Sequence, residues 1–377
     1  MHESKKTITV TKPSLPPLDE YVELLRDIWD REWLTNKGRY HDELESSLAK
    51  YLDVPYVSLF CNGMIALQVG LQALKITGEV ITTPYSFVAT THALWWNHCT
   101  PVFCDIDPVT CNLDPARVES LITPRTTAIL PVHIYGTPCD TVSLQKIADT
   151  YGLRLLYDAA HAFGVRVNNT SVLTFGDMSM VSFHATKVFN TAEGGALITT
   201  DLKLKQRVDY LKNFGFADEV TVIAPGTNGK MNELQAALGV VQLRHINREI
   251  ERRQEIDALY RERLSALPGI RLMQPLEGAT QNYAYFPIFV DDSEYPISRD
   301  ALYAALKTRG LLGRRYFYPL ISEFPTYREL PSSTRLPTAL TISRQVLCLP
   351  LYSALDHATA KMICAVIRDT HDVGSAA

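Results

Sequence analysis

From about Leu18 to His245, short apolar runs alternate with stretches whose apolar residues recur every three or four positions. The runs are PYVSLFC, EVITT, PVFCDID, TTAILPVHIYG, LRLLYD, MSMVSFH and GGALITT. Each is rich in β-branched or aromatic residues and bounded by turn or helix signals, which predicts a strand. Near-continuous apolar strands interleaved with helices describe a largely parallel sheet covered by helices on both faces. Farther on, Ile246, Ile250, Ile256, Leu259, Tyr260, Leu264 and Leu267 fall close to the helical period. They predict a long helix that stops at Pro268-Gly269 and leads into a second unit. That unit mixes a strand-like YAYFPIFV, a helix-like SRDALYAALKTRG and a Pro/Tyr-rich loop, RRYFYPLISEFPTYREL, so it reads as smaller and α+β. The first 18 residues are polar, end in SLPPL and read as an arm rather than as core. The expected organisation is an arm over 1–18, a large domain over 19–245 and a small C-terminal domain over 246–377, with the last residues, DVGSAA, frayed.

Composition narrows the class. With 377 residues, 46% hydrophobic and 21% charged, the chain is globular with a sizeable core. Lys plus Arg number 37 against 41 Asp plus Glu, a net charge of −4, so no basic surplus draws in phosphate backbones and nucleic acid is not an expected partner. The seven cysteines are odd in number, scattered and without a C-x-x-C pair. They are expected as reduced thiols in a cytoplasm, with neither a disulfide frame nor a structural metal. The opening MHESKKTITVTKPSLPPL lacks an apolar h-region and no run of about 18 apolar residues occurs, so a cytoplasmic protein without a membrane span is expected.

In open parallel sheets, ligands bind beyond the carboxyl ends of the strands, so the polar groups that follow each apolar run are the candidates. After PYVSLFC comes Asn62-Gly63-Met64, a turn into a helical pattern; its free amides suit a phosphate, and a purely conformational turn explains it as well. After LRLLY comes Asp158, a carboxylate at the end of a buried strand that has to be paired or hydrogen-bonded, or that caps the next helix. After MSMVSF comes Lys187, flanked by apolar residues and a Glu193-Gly194-Gly195 turn, where a snorkelling lysine is the plain alternative. Together, the three supply what pyridoxal phosphate needs: a carboxylate for the pyridine nitrogen, an amine for the imine and a helix start for the phosphate.

TPYSFVAT, PVHIYG, DAAHAFG, SFHATKVFNTAEGGAL and GTNGKMNELQAALG resemble, in order and spacing, the DegT/DnrJ/StrS family of fold-type I pyridoxal-phosphate enzymes, best known as nucleotide-sugar aminotransferases. The likeness runs from about residue 30 to the end. It implies an α/β fold with a mainly parallel seven-stranded sheet and a smaller α+β C-terminal domain. It further implies Lys187 as the lysine that carries the cofactor as an aldimine, Asp158 as its pyridinium partner and His161 against the phenolic oxygen. Phe87 matches the aromatic that stacks on the pyridine face. Gly63, Met64 and Ser182 match the phosphate cradle, with Met64 where the family usually has Ser or Thr. Asn228 matches the residue that reaches the phosphate from a neighbouring subunit, implying a homodimer with shared sites. Thr35, Asn36 and Lys37 resemble the family's early loop near the sugar. Arg314, Arg315, Tyr316 and Tyr318 resemble the loop that closes over it, with Ile321 where histidine is common.

The resemblance implies a ping-pong transamination from an amino acid, L-glutamate, to the ketone of a nucleotide-diphosphate sugar of the dTDP-4-keto-6-deoxyhexose type, with pyridoxamine phosphate as the intermediate cofactor form. O-antigen and antibiotic sugar pathways are equally compatible. A keto-cyclitol substrate, a sugar dehydratase (in which histidine replaces the lysine present here) and a non-catalytic regulatory protein on the same fold are the competing readings.

Overall fold

Each predicted run forms a strand in the computed structural model, which describes residues 7–375. The strands are β1 (Tyr56–Phe60), β2 (Glu79–Thr82), β3 (Thr100–Phe103), β4 (Thr126–Leu130), β5 (Arg154–Asp158), β6 (Met178–Ser182) and β7 (Gly195–Thr199). They make one seven-stranded sheet in the order β1-β7-β6-β5-β4-β2-β3. Only β7 runs antiparallel to its neighbours. The β-branched and aliphatic strands are buried on both faces. Leu44, Val57, Phe183 and Ile198 belong to the core on one side, and Leu67, Val80, Leu130 and Leu197 to that on the other.

The smaller unit is a three-stranded antiparallel sheet in the order β8-β9-β10: β8 (Ile270–Leu272), β9 (Phe286–Val290) and β10 (Val346–Leu349). The helix Arg299–Thr308, capped by the Ser298 side chain, corresponds to the predicted SRDALYAALKTRG.

Three expectations differ from the structure. The long helix begins at Glu233, upstream of the expected start near residue 246. Asn232 caps it, with the Gln235 side chain returning to the cap amide. The added turns bury Ala236, Ala237, Val240 and Val241, so they show no polar stripe for periodicity to register. Its first half packs in the large unit's core and its second half (Ile256, Leu259, Tyr260, Leu264) in the small unit's.

The described part of the expected arm is woven into the protein. Ile8–Thr9 pairs in parallel with Leu311–Leu312, Leu351 donates to the Val10 carbonyl, and Val10 is buried. Asn190 and Gln242 both donate to the Ser14 carbonyl. The period-two pattern Ile8, Val10 is a strand signal that the surrounding polar residues obscured; residues 1–6 lie outside the described ones. At the other end, the helix His357–Ser375 takes in most of the segment expected to fray, and residues 376–377 are again outside the description.

Among the described residues no helix is long and apolar enough to cross a membrane.

Candidate active site

The carboxyl ends of β1, β5 and β6 bring the predicted groups together. Asp158 is the last residue of β5 and is 4% exposed. Its Oδ2 accepts from Thr90 Oγ1 at 2.7 Å and its Oδ1 from the Ala160 amide at 3.0 Å. Burial pushes its pKa up, against the pull of those two donors and of the Lys187 charge. Thr90 Oγ1 in turn lies 2.8 Å from Ser86 Oγ. Both hydroxyls come from the TPYSFVAT segment, where sequence reasoning singled out only Phe87.

Lys187 sits in the loop that joins β6 to β7. That loop is closed by backbone bonds from Phe183 to Gly194, Thr191 to Phe183 and Ala185 to Ala192, so the lysine is presented by a tied turn rather than a loose one. Burial pushes the ammonium down to about 8, while Asp158 and Tyr316 pull the other way. An amine near 8 is partly neutral at working pH and can act as a nucleophile and a base. Its Nζ donates to Tyr285 Oη at 3.3 Å, a neighbour the sequence reading did not pick out.

His161 is buried in the turn after β5. Its Nδ1 accepts from the Tyr135 amide at 3.2 Å, which places the proton of the neutral ring on Nε2. Burial first, then the charge of Lys187 and the neighbouring His133, push its pKa well down, so it is a neutral donor. Phe87 lies one turn before Thr90 and is 59% exposed, with no ring stacked on it among the described residues.

The helix Gly63–Ala73 starts against the end of β6. Asn62 caps it by accepting from the Ile65 amide at 2.8 Å, and the amides of Gly63 and Met64 have no acceptor among the described residues. A Cβ on Gly63 would meet the Ser182 Cβ at 3.1 Å, and one on Gly195 would meet the Gly63 Cα and N at 2.8 Å. Only glycines let the helix start close on Ser182, and the result is a small cradle of two free amides and a hydroxyl.

The loop after Leu311–Leu312 divides its residues. Tyr316 packs edge-on to Tyr285 at 5.6 Å, and its carbonyl accepts from the Tyr85 and Tyr135 hydroxyls. The exposed Arg314 lies over the Tyr316 ring at 6.0 Å. Arg315 instead pairs with Asp300 at 2.9 Å and stacks on Tyr303 and Tyr318, and Tyr318 sits between Arg299 and Arg315. These two are therefore engaged with the helix Arg299–Thr308 rather than with Lys187. Ile321 is buried and its amide bonds the Pro84 carbonyl, a packing position.

Two more groups lie apart from Lys187 within the chain. Thr35, Asn36 and Lys37 sit at the start of the long helix, where Trp33 Nε1 donates to the Asn36 carbonyl and Glu233 to that of Leu34. Asn228 is exposed on a segment bridged to Asn213.

An amine and a buried carboxylate at adjacent strand ends, beside an anion cradle and under a sheet of this order, define a fold-type I transferase. The chain belongs to the DegT/DnrJ/EryC1/StrS aminotransferase family, whose profile matches residues 18–368. It is 52% identical to an Escherichia coli protein named dTDP-4-amino-4,6-dideoxy-D-glucose transaminase, over 93% of this chain and 95% of that one. A Shigella dysenteriae protein of the same name is 47% identical over 97% of this chain and 99% of its own. In solved structures, DesI in the presence of its TDP-sugar product is 37% identical, with a TM-score of 0.94 over 98% of this chain and 94% of that one.

Proposed function

We propose that this aminotransferase moves the amino group of L-glutamate to the 4-ketone of a dTDP-4-keto-6-deoxyhexose, giving a dTDP-4-amino-4,6-dideoxyhexose and 2-oxoglutarate. The observation that carries the substrate is the 52% identity over nearly the whole chain to a transaminase named for that product. Arg314, an exposed cation on the rim above Tyr316, supports a diphosphate-bearing substrate.

The donor set fits pyridoxal phosphate. Gly63, Met64 and Ser182 would hold its phosphate, Asp158 its ring nitrogen and His161 Nε2–H its phenolic oxygen, with the free Phe87 face against the ring. The bound cofactor supplies an electron sink and keeps the amino group between the two half-reactions. Asp158, held by Thr90 and Ala160, would place its carboxylate charge against the ring nitrogen and favour that nitrogen's protonated form. Lys187 Nζ would take a proton from the donor's α-carbon and pass it to the bound cofactor in the first half-reaction, and would move a proton the opposite way, from the cofactor onto the sugar carbon, in the second.

Asn228, exposed on this chain, would complete the cradle of a second copy in a homodimer with shared sites; Thr35, Asn36 and Lys37 would face the partner's substrate. The seven unbridged cysteines support a reducing compartment, the cytoplasm.

The test is to incubate the purified, cofactor-loaded protein with L-glutamate and dTDP-4-keto-6-deoxy-D-glucose and to follow both products by mass spectrometry. Amino sugar and 2-oxoglutarate should form one for one. Faster turnover on a GDP-linked ketone or a free keto-cyclitol would refute the substrate assignment, and no amino transfer to any ketone would refute the activity.

A further inference from the structure

Lys187 has one hydrogen-bonding neighbour that the reading above does not use. Tyr285 stands just before β9, 98 positions from Lys187, so the contact between its hydroxyl and Nζ joins the two units. Its ring is held on three sides: His161 edge-on at 4.8 Å, Tyr316 edge-on at 5.6 Å and Tyr135 at 5.8 Å. Tyr135 is fixed in turn, its hydroxyl 2.6 Å from that of Tyr85 and bonded to the Tyr316 carbonyl. Tyr285 is thus braced within a packed aromatic cluster and has little freedom to follow a moving lysine.

The groups that face the lysine come from four places. Asp158 is at the end of β5, His161 in the turn after it, Tyr285 before β9 and Tyr316 in the loop below Arg314. Arg253, from the long helix, acts on Tyr285 in turn. Burial raises the Tyr285 phenol, so it keeps its proton while the lysine gains and loses one.

We propose that Tyr285 is a positioning residue for the amino transfer: its hydroxyl holds the released ε-amine of Lys187 beside His161 and Tyr316 while that amine carries the proton. The inference rests on the aminotransferase reading. In the proton step the Nζ lone pair forms an N–H bond as the donor's α-C–H bond breaks, and the electron pair of that bond passes to the bound cofactor. The same proton then passes from Nζ to the bound cofactor, and in the second half-reaction the transfer runs the other way, onto the sugar carbon. Tyr285 breaks no bond of its own. Its oxygen accepts from the ammonium, and its O–H donates to the lone pair of the neutral amine, so the lysine is oriented in both charge states. A primary amine on a flexible four-carbon stem needs such an anchor, since a misplacement of about 1 Å lowers a rate roughly a hundredfold.

The experiment is Tyr285→Phe in the full-length protein, with two readouts. In the cofactor-loaded enzyme, kcat should fall about 10- to 100-fold with KM for both substrates within about twofold, and the isotope effect with α-deuterated L-glutamate should rise. In the cofactor-free protein, the pH midpoint for labelling Lys187 by trinitrobenzenesulfonate, read on its peptide by mass spectrometry, should drop by about one unit, because the ammonium loses an acceptor. Tyr260→Phe, which removes a buried hydroxyl bonded to the Pro350 carbonyl, should leave the midpoint and the isotope effect at wild type. Wild-type values of kcat, isotope effect and midpoint in Tyr285→Phe would overturn the proposal. A lower kcat with the other two unchanged would also overturn it, in favour of a packing role. A wild-type protein silent with every donor and ketone would overturn the aminotransferase reading instead; the labelling midpoint is independent of it, and a drop there still supports Tyr285 as the holder of the amine.

Discussion

Replacing Lys187 by methionine should make the cofactor-free protein more stable. The lysine is held in a site where folding disfavours its charge, with its pKa pushed from 10.5 to about 8 chiefly by burial. At about 1.36 kcal/mol per unit, keeping it protonated in the folded chain costs about 3 kcal/mol. That cost is whole below about pH 8, where folded and unfolded chains both carry the proton. It is relieved as pH rises from about 8 to 10.5, because the folded chain releases its proton first. Methionine has similar bulk and no charge. Allowing for the lost attraction to Asp158, Lys187→Met should gain about 2–3 kcal/mol near pH 7, and the gain should shrink below about 1 kcal/mol near pH 10. Urea unfolding of both proteins, at one protein concentration and at both pH values, measures the difference. The buried tyrosines and cysteines titrate in both proteins and cancel. A variant no more stable than wild type near pH 7, or a gain that does not change with pH, would refute the burial argument.

Other substitutions probe the same frame. Asp158→Asn keeps the bonds to Thr90 and Ala160 possible but removes the charge; kcat should fall about 10²–10³-fold with part of the cofactor retained, and an unchanged rate would count against the role of the carboxylate. Gly195→Ala places a Cβ 2.8 Å from the backbone of Gly63, where no flexible side chain can yield. It should lower stability by about 1–3 kcal/mol and weaken cofactor uptake, read by thermal unfolding and by titration with pyridoxal phosphate. Glu233 is fully buried and accepts from the Tyr40 amide at 3.1 Å and the His41 amide at 2.7 Å, with Arg31 at 3.6 Å. Glu233→Gln should therefore cost about 1–3 kcal/mol in a urea titration, and a neutral result would mean that the buried carboxylate contributes little.

The large sheet was legible because its strands are short apolar runs with turn signals at each end, and the two residues singled out for chemistry follow from it: Asp158 ends β5, and Lys187 lies in the loop after β6. The start of the long helix was not legible, since a helix buried all round loses the stripe on which periodicity depends. Nor was the weave of the N-terminal segment: two apolar residues among polar ones carry no information about a partner strand some 300 positions away. Arg315 and Tyr318 were expected near the substrate because their loop resembles the family's loop that closes over the sugar. In a loop, adjacent residues point to different surroundings, and Asp300 on a neighbouring helix claims Arg315.

Local sequence determined the strand and helix pattern, the cradle glycines and the identity of the amine and carboxylate, since these follow from residue type and short-range spacing. Tertiary structure alone decided what surrounds them. Thr90 on Asp158, Tyr135 on His161 and Tyr285 on Lys187 are separated by 68, 26 and 98 positions. Which group closes such a gap depends on how distant segments pack, within the large unit for the first two and across the two units for Tyr285, and that packing also sets the burial that shifts the pKa of each of the three groups contacted.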